Sequence, residues 1–257
     1  MEQRARTLIM LAPPTEVESV VKDIRQLAGS EISSVLPEIC KEYNEKHCVA
    51  FAHEDKQVVI SEYASVGENE YICPREGLIV KVDHMSHKVT DARPLEEDDD
   101  AEYVELADEV YKMAKESYPA AAVAVYNLED KKVIVVSSDK ISAKNFYTGS
   151  LRNVYIVANG AVSGSMVGVI HFYEGGNVQG EVDKTMPETP APTPTEVVRA
   201  IRRFEETSIS TVGSALTDIN ENQFKALRRA LPITRQTIDW PKIAHDHVAT
   251  QLGSMAM

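Results

Sequence analysis

Apolar residues recur at Val17, Val20, Val21, Ile24 and Leu27, a spacing that lines one face of a helix. Gly29 follows where a helix end favours a residue of free backbone conformation. Pro37, suited to a first helical turn, opens a second helix through Ile39, Cys40 and Tyr43. The period then shortens. Val49–Phe51, Gln57–Ile60 and Leu78–Val82 read as small extended pieces, so helices are expected over about 1–48 and short strands over about 49–98. Tyr103, Val104, Ala107, Val110, Tyr111 and Ala114 then form an amphipathic stripe, which predicts a helix over about 99–117.

Residues of about 120–183 read as a meander of five strands: 121–126, 133–137, 154–158, 162–173 and 178–182. Asn159-Gly160 between apolar stretches is a strong hairpin signal, and Glu174-Gly175-Gly176-Asn177 is a second turn. Strands joined by turns this tight are antiparallel, because a parallel return needs a long crossover. Pro187, Pro190, Pro192 and Pro194 predict a polar, extended connector over 186–194. A helix over about 195–216 follows, with Val197, Val198, Ile201, Phe204, Ile209, Val212 and Leu216 as its buried stripe. The expected fold is α+β: N-terminal helices, then a five-stranded antiparallel sheet covered by a long helix, then a short C-terminal basic helix and extension. Residues 1–239 read as one core domain and 240–257 as an amphipathic extension.

Composition narrows the function. The chain has 257 residues, 43% apolar and 26% charged, enough for a sizeable core, and a net charge of −13. That charge argues against nucleic-acid binding, which needs a basic footprint on phosphates. Cys40, Cys48 and Cys73 show no CxxC spacing, so free thiols and a reducing compartment are expected. The N-terminus carries no secretory signal pattern, and no stretch nears the ~18 apolar residues of a membrane span. A cytosolic protein without membrane insertion is the expectation.

Candidate chemistry adds little. Residues 91–109 carry ten acids against Arg93 alone. They read as a solvated helix start, because a calcium loop needs alternating ligands and a central glycine. The glycine-rich run 160–168 lacks the lysine of a phosphate loop. His53, Cys73, His84 and His87 lack the convergent spacing of a zinc site. With no GxSxG elbow either, no catalytic residue, metal or cofactor is expected.

The charge reverses near the C-terminus. Phe224, Leu227 and Leu231 share one side of a short helix over about 222–231, and Lys225, Arg228 and Arg229 form an adjacent stripe. With Arg235 and Lys242 against Asp239, residues 224–242 carry a net +4 within a chain of −13. Charge alone leaves two readings open: neutralisation of the chain's own acids, or a docking patch for an acidic protein surface or lipid phosphates.

The string Phe224-Lys225-Ala226-Leu227-Arg228-Arg229-Ala230-Leu231-Pro232-Ile233-Thr234-Arg235, followed by Ile238-Asp239-Trp240, closely resembles the C-terminal signature of the F-actin capping protein alpha subunits. Asp83-His84, Lys144-Asn145-Phe146, the stretch Tyr173–Gln179, and Ala12-Pro13-Pro14 match the family in the same order. The resemblance implies an alpha subunit paired with a similarly folded beta subunit. Their sheets would join across a pseudo-twofold axis under two long antiparallel helices. Such a heterodimer binds the barbed end of an actin filament and blocks subunit addition and loss. The resemblance assigns actin contacts to Lys225, Arg229 and Arg235. It adds a terminal extension whose apolar side here is Ile243, Val248 and Leu252. Inhibitory phosphoinositides would share Lys225 and Arg229, capping regulators would be further partners, and the location would be the cytoplasmic actin cytoskeleton. Because the two subunit types share a fold, a homodimer of this chain is also physically open. The alternative function is a phosphoinositide-regulated scaffold or adaptor of the same fold with weak or no capping. Pro241 directly after Trp240, and the weakly helical ending Gly253–Met257, depart from the family pattern.

Overall fold

The structure, a computed structural model, describes residues 2–13, 15–96, 100–174 and 178–218. The chain divides into two compact units, Met1–Ile209 and Ser210–Met257. The first is described below. Of the second, only the end of its leading helix lies within the described residues.

Three helices come first: α1 (Glu2–Met10), α2 (Val17–Ala28) and α3 (Leu36–Lys46). Val17, Val21 and Ile24 of α2 bury against Ala5, Ile9, Leu36, Ile39 and Tyr43. Each such side chain contributes about 1.5–3 kcal/mol on leaving water. Gly29, at φ 61°, ends α2, and its amide donates to the Arg25 carbonyl. Pro37 sits in the first turn of α3 as expected.

A hairpin of β1 (Ala50–His53) and β2 (Lys56–Val59) follows. Next comes a four-stranded antiparallel sheet of β3 (Ser65–Gly67), β4 (Glu70–Cys73), β5 (Leu78–Asp83) and β6 (Lys88–Pro94), in that spatial order. β3, β4 and β6 add to the expected pieces. β6 escapes pattern reading because every residue except the half-buried Val89 is exposed. Helix α4 (Ala101–Ser117) is capped by Asp100, whose carboxylate accepts from the amides of Glu102 and Tyr103.

The central sheet contains β7 (Ala122–Asn127), β8 (Lys132–Ser142), β9 (Tyr147–Ala158), β10 (Ala161–Phe172) and β11 (Val178–Pro190). Its order is β11-β10-β9-β8-β7, antiparallel throughout. Asn159 (φ 52°) and Gly160 (φ 68°) form the turn between β9 and β10, both in the left-handed region a two-residue hairpin requires. Helix α5 (Pro194–Asp218) closes the described chain.

The two faces of this sheet have different covers. Val123, Val125, Ile134, Val136, Tyr155 and Val162 meet α4 and the start of α5. Ala122, Ala124, Tyr126, Val133 and Val135 face the other way, onto Phe51, Val58, Ile60, Tyr71 and Val80. β7 and β8 are therefore buried on both sides, which is why Val133–Val136 is an unbroken apolar run.

Two expectations are corrected. Residues 186–190 are not a connector: β11 runs through Pro187 to Pro190, because an edge strand tolerates residues that cannot donate to a ladder. The buried stripe of α5 does not include Ile209, which is 61% exposed, whereas Glu205 and Ser208 are buried. The side chain of Leu216 lies outside what is described.

Candidate interaction surfaces

β11 is the strongest candidate for a partner contact. It pairs with β10 along one side, and among the described residues no strand pairs with the other. The opposite edge differs, since β7 lies against β2 and the turn at Pro74–Glu76. Along its 13 residues β11 thus leaves its outward-facing amides and carbonyls, the prolines at 187 and 190 aside, without a strand partner among the described residues. An edge that long is a template for another strand.

The α5-facing surface beside this edge is only partly covered. Neighbours across β9, β10 and β11 share a face, in the rows Tyr147–Phe172–Val178, Gly149–Ile170–Gly180 and Leu151–Gly168–Val182. Ile170 is 49% exposed and Val178 61%, while Leu151 and Val182 are half-buried. Gly149 and Gly180 flank Ile170, so it stands between two positions without side chains. Large and small residues alternate, leaving ridges and hollows that an apolar surface can interdigitate with.

The opposite face carries an open groove of about 900 Å³ between α3 and strands β9–β11. Val154, Ile156, Ser165 and Thr185 line its floor, and Glu38, Glu42 and Lys46 its α3 side. Open surface therefore lies on both sides of the free edge.

The expected glycine-rich run is strand β10. At Gly164 an added Cβ would lie 2.3 Å from the Val154 carbonyl oxygen, so close strand packing excludes a side chain there. Of the histidines considered as metal ligands, His84 is engaged on both ring nitrogens. Asn44 Nδ2 approaches Nδ1 at 3.3 Å and Tyr71 Oη approaches Nε2 at 3.1 Å. Tyr71 donates onward to Glu45 Oε1 at 2.7 Å. Among the described residues no group of three or more His, Cys, Asp or Glu side chains could hold a metal ion. Burial pushes the thiols of Cys40, Cys48 and Cys73 up to about 11, and all three are free. No helix among the described residues is long and apolar enough to cross a membrane.

The sequence-derived contact residues Lys225, Arg229, Arg235, Ile243, Val248 and Leu252 lie outside the described residues. Sequence reading missed the platform of Ile170, Phe172 and Val178. A signal was present: Val167, Val169, Ile170 and Phe172 place apolar groups on both faces of one strand, which requires cover on both.

The model of the F-actin capping protein alpha subunit family matches residues 5–251. An F-actin-capping protein subunit alpha from Candida glabrata is 31% identical over 92% of this chain and 91% of its own. One from Dictyostelium discoideum is 29% identical over 98% and 97% respectively. The fold is similar to that of the homodimeric actin capping protein alpha subunit of Plasmodium berghei, with TM-score 0.76 and 19% identity over 91% of this chain and 98% of that one. With a family match from residue 5 to residue 251, spanning the sheet, the long helix and the basic segment alike, the chain belongs to the F-actin capping protein alpha subunit family.

Proposed function

We propose that this chain is the actin-binding subunit of a dimeric capping protein, which holds the barbed end of an actin filament and blocks subunit addition and loss. One observation carries the reading: the family match extends through residue 251 and so takes in the basic segment 224–242. Lys225, Arg229 and Arg235 are the proposed actin contacts, supported by their local +4 charge in a chain of −13. Ile243, Val248 and Leu252 are the apolar side of the extension that adds to them. Lys225 and Arg229 double as a site for phosphoinositide headgroups. The protein works by binding rather than by catalysis, in the cytoplasm at the actin cytoskeleton.

The partner is a capping protein beta subunit, added along β11. The free edge and the apolar platform beside it favour a subunit that extends the sheet and places a helix over Ile170 and Phe172. The homodimeric relative of Plasmodium berghei makes a second copy of this chain the competing occupant. The mass of the protein expressed alone, against its mass with a beta subunit, separates the two.

Pyrene-actin depolymerisation with the assembled dimer tests the function. The expected result is barbed-end protection at nanomolar protein. In Lys225→Glu with Arg229→Glu, the dissociation rate rises by about tenfold or more while the dimer stays intact. A correctly assembled dimer without effect on filament ends would favour the scaffold reading instead.

A further inference from the structure

The sheet-facing side of α5 changes character partway along. Ile201, Glu205 and Ser208 stand at i, i+4 and i+7, so Glu205 continues the stripe that Ile201 belongs to. It is 4% exposed. Its Oε1 accepts from the Tyr155 hydroxyl at 2.7 Å and from Asn153 Nδ2 at 2.8 Å, both on β9. Tyr118, which closes α4, lies beside them, its oxygen accepting from Asn153 Nδ2 at 3.4 Å. One buried carboxylate thus joins α5 to β9 through two neutral donors, and Asn153 carries the link on to Tyr118 at the end of α4. Burial, and then the nearby Glu205 charge, hold the Tyr118 and Tyr155 phenols above their ordinary range.

This arrangement adds little to stability. Desolvating a carboxylate is costly before hydrogen bonds offset it, and apolar residues of the same volume often hold a structure as well or better. The Asn153 Oδ1 atom accepts no hydrogen bond from the described residues, so the network is not even complete. What it adds is direction. Apolar contact is non-directional, and the stripe Val197, Val198, Ile201, Phe204 alone would let the helix slide or roll on the sheet. Two hydrogen bonds to one carboxylate oxygen oppose that. Glu205 also lies near the end of the clamped part of the helix, since Ile209 is 61% exposed and residues 213–215 are exposed as well.

We propose that Glu205 is a positioning residue. Its anchorage to Tyr155 and Asn153 sets the register of α5 on the sheet. It thereby holds the stretch of helix from which the chain continues to its basic segment. The register role stands by itself; the consequence for filament ends rests on the capping function proposed above.

The test uses the full chain in its assembled dimer. The variant Glu205→Leu/Asn153→Leu/Tyr155→Phe replaces the network by apolar groups, a change that buried polar clusters often survive without loss of stability. Glu205→Gln keeps the shape and an acceptor. Hydrogen exchange of amides 206–215 should be about tenfold faster in the apolar variant, with amides 196–203 unchanged. In Glu205→Gln both stretches should stay within about threefold of the parent. The dissociation rate from barbed ends should rise about tenfold in the apolar variant only. Unchanged exchange at 206–215 would overturn the register role. Faster exchange with an unchanged dissociation rate would overturn its consequence for capping. If the parent dimer itself does not cap, the functional reading fails while the exchange result still decides the register role. Should the apolar variant be insoluble, Tyr155→Phe alone removes one hydroxyl, and about threefold faster exchange at 206–215 is expected. No change there would count against the proposal.

Discussion

His171 on β10 meets Glu16 across 155 residues of sequence, with Nδ1 and Oε1 2.7 Å apart. Thr148 Oγ1, on the neighbouring strand β9, donates to the same carboxylate oxygen at 3.4 Å. Glu16 precedes α2 but does not cap it with its side chain. It reaches instead to the far ends of β9 and β10, so one carboxylate ties the N-terminal helices to the central sheet. Glu16→Ala should lower the unfolding free energy by about 1–3 kcal/mol in urea titration. A double-mutant cycle with His171→Ala should show coupling above about 0.5 kcal/mol. Additive losses would mean that the two side chains are merely adjacent.

His84 makes stability depend on pH in one direction. It faces Asn44 and Glu45 of α3 and Tyr71 of β4, with Lys41, Asp83 and His87 as the nearby charged or titratable groups. Asn44 donates to Nδ1, so Nε2 carries the proton toward Tyr71, and Tyr71 donates to Glu45. Protonation would set Nδ1–H against the Asn44 amide. Burial first, and Lys41 next, lower His84 from 6.5 to about 4. Below pH 6.5 the unfolded chain takes up a proton that the folded chain refuses until about pH 4. The His84 contribution to stability is therefore complete above about pH 7 and is lost between 6.5 and 4. His47, lowered to about 4 by burial and by Arg152, adds in the same window. His84→Gln should remove up to about one proton, or roughly 1.4 kcal/mol per pH unit, from the slope of unfolding free energy there. An unchanged slope would refute this account.

Of the two glycines of β10, Gly164 is the one that close packing bars from carrying a side chain. Besides the Val154 carbonyl oxygen, an added Cβ would lie 2.6 Å from Tyr155 Cδ1 and 2.9 Å from Tyr155 Cα. Two of these three atoms are backbone and cannot swing away. Gly164→Ala should destabilise by about 1–3 kcal/mol, read as a lower urea midpoint with an unchanged slope. Gly168→Ala, whose nearest neighbour would be Leu151 Cδ1 at 3.9 Å, should cost far less. Equal losses would show that strand propensity, not contact, decides.

The platform beside β11 predicts the effect of a charge on assembly. Ile170→Asp, with Val178→Asp, places two carboxylates where a partner would desolvate them. Both positions are already exposed, so the unfolding midpoint of the lone chain should move little. Light scattering should show the dimer mass replaced by that of single subunits. A dimer that persists would move the interface elsewhere.

Much of this fold is legible in the sequence. The 3.6-residue period of Val17, Val21 and Ile24 marks α2, and Asn159-Gly160 marks its hairpin, since few other pairs accept two left-handed residues in succession. The unbroken run Val133–Val136 marks a strand buried on both faces. These features depend on neighbours in sequence, where steric preference and solvent exposure act directly. β6 and the second half of β11 were not legible, because exposed residues and prolines carry no apolar period. Pattern could place Ile209 on the buried stripe of α5 but could not weigh it against Glu205.

The candidate site divides in the same way. The basic segment 224–242 and the family are properties of residue order, because both the local charge and the string Phe224–Arg235 that carries the resemblance are read along the chain. That β11 has no second strand neighbour among the described residues, that Ile170 lies between two glycines, and that Glu205 is held by Tyr155 and Asn153 were decided only by tertiary structure. Each depends on which strand lies beside which. Strand order follows from the summed burial of residues far apart in the chain, and no local period encodes that sum.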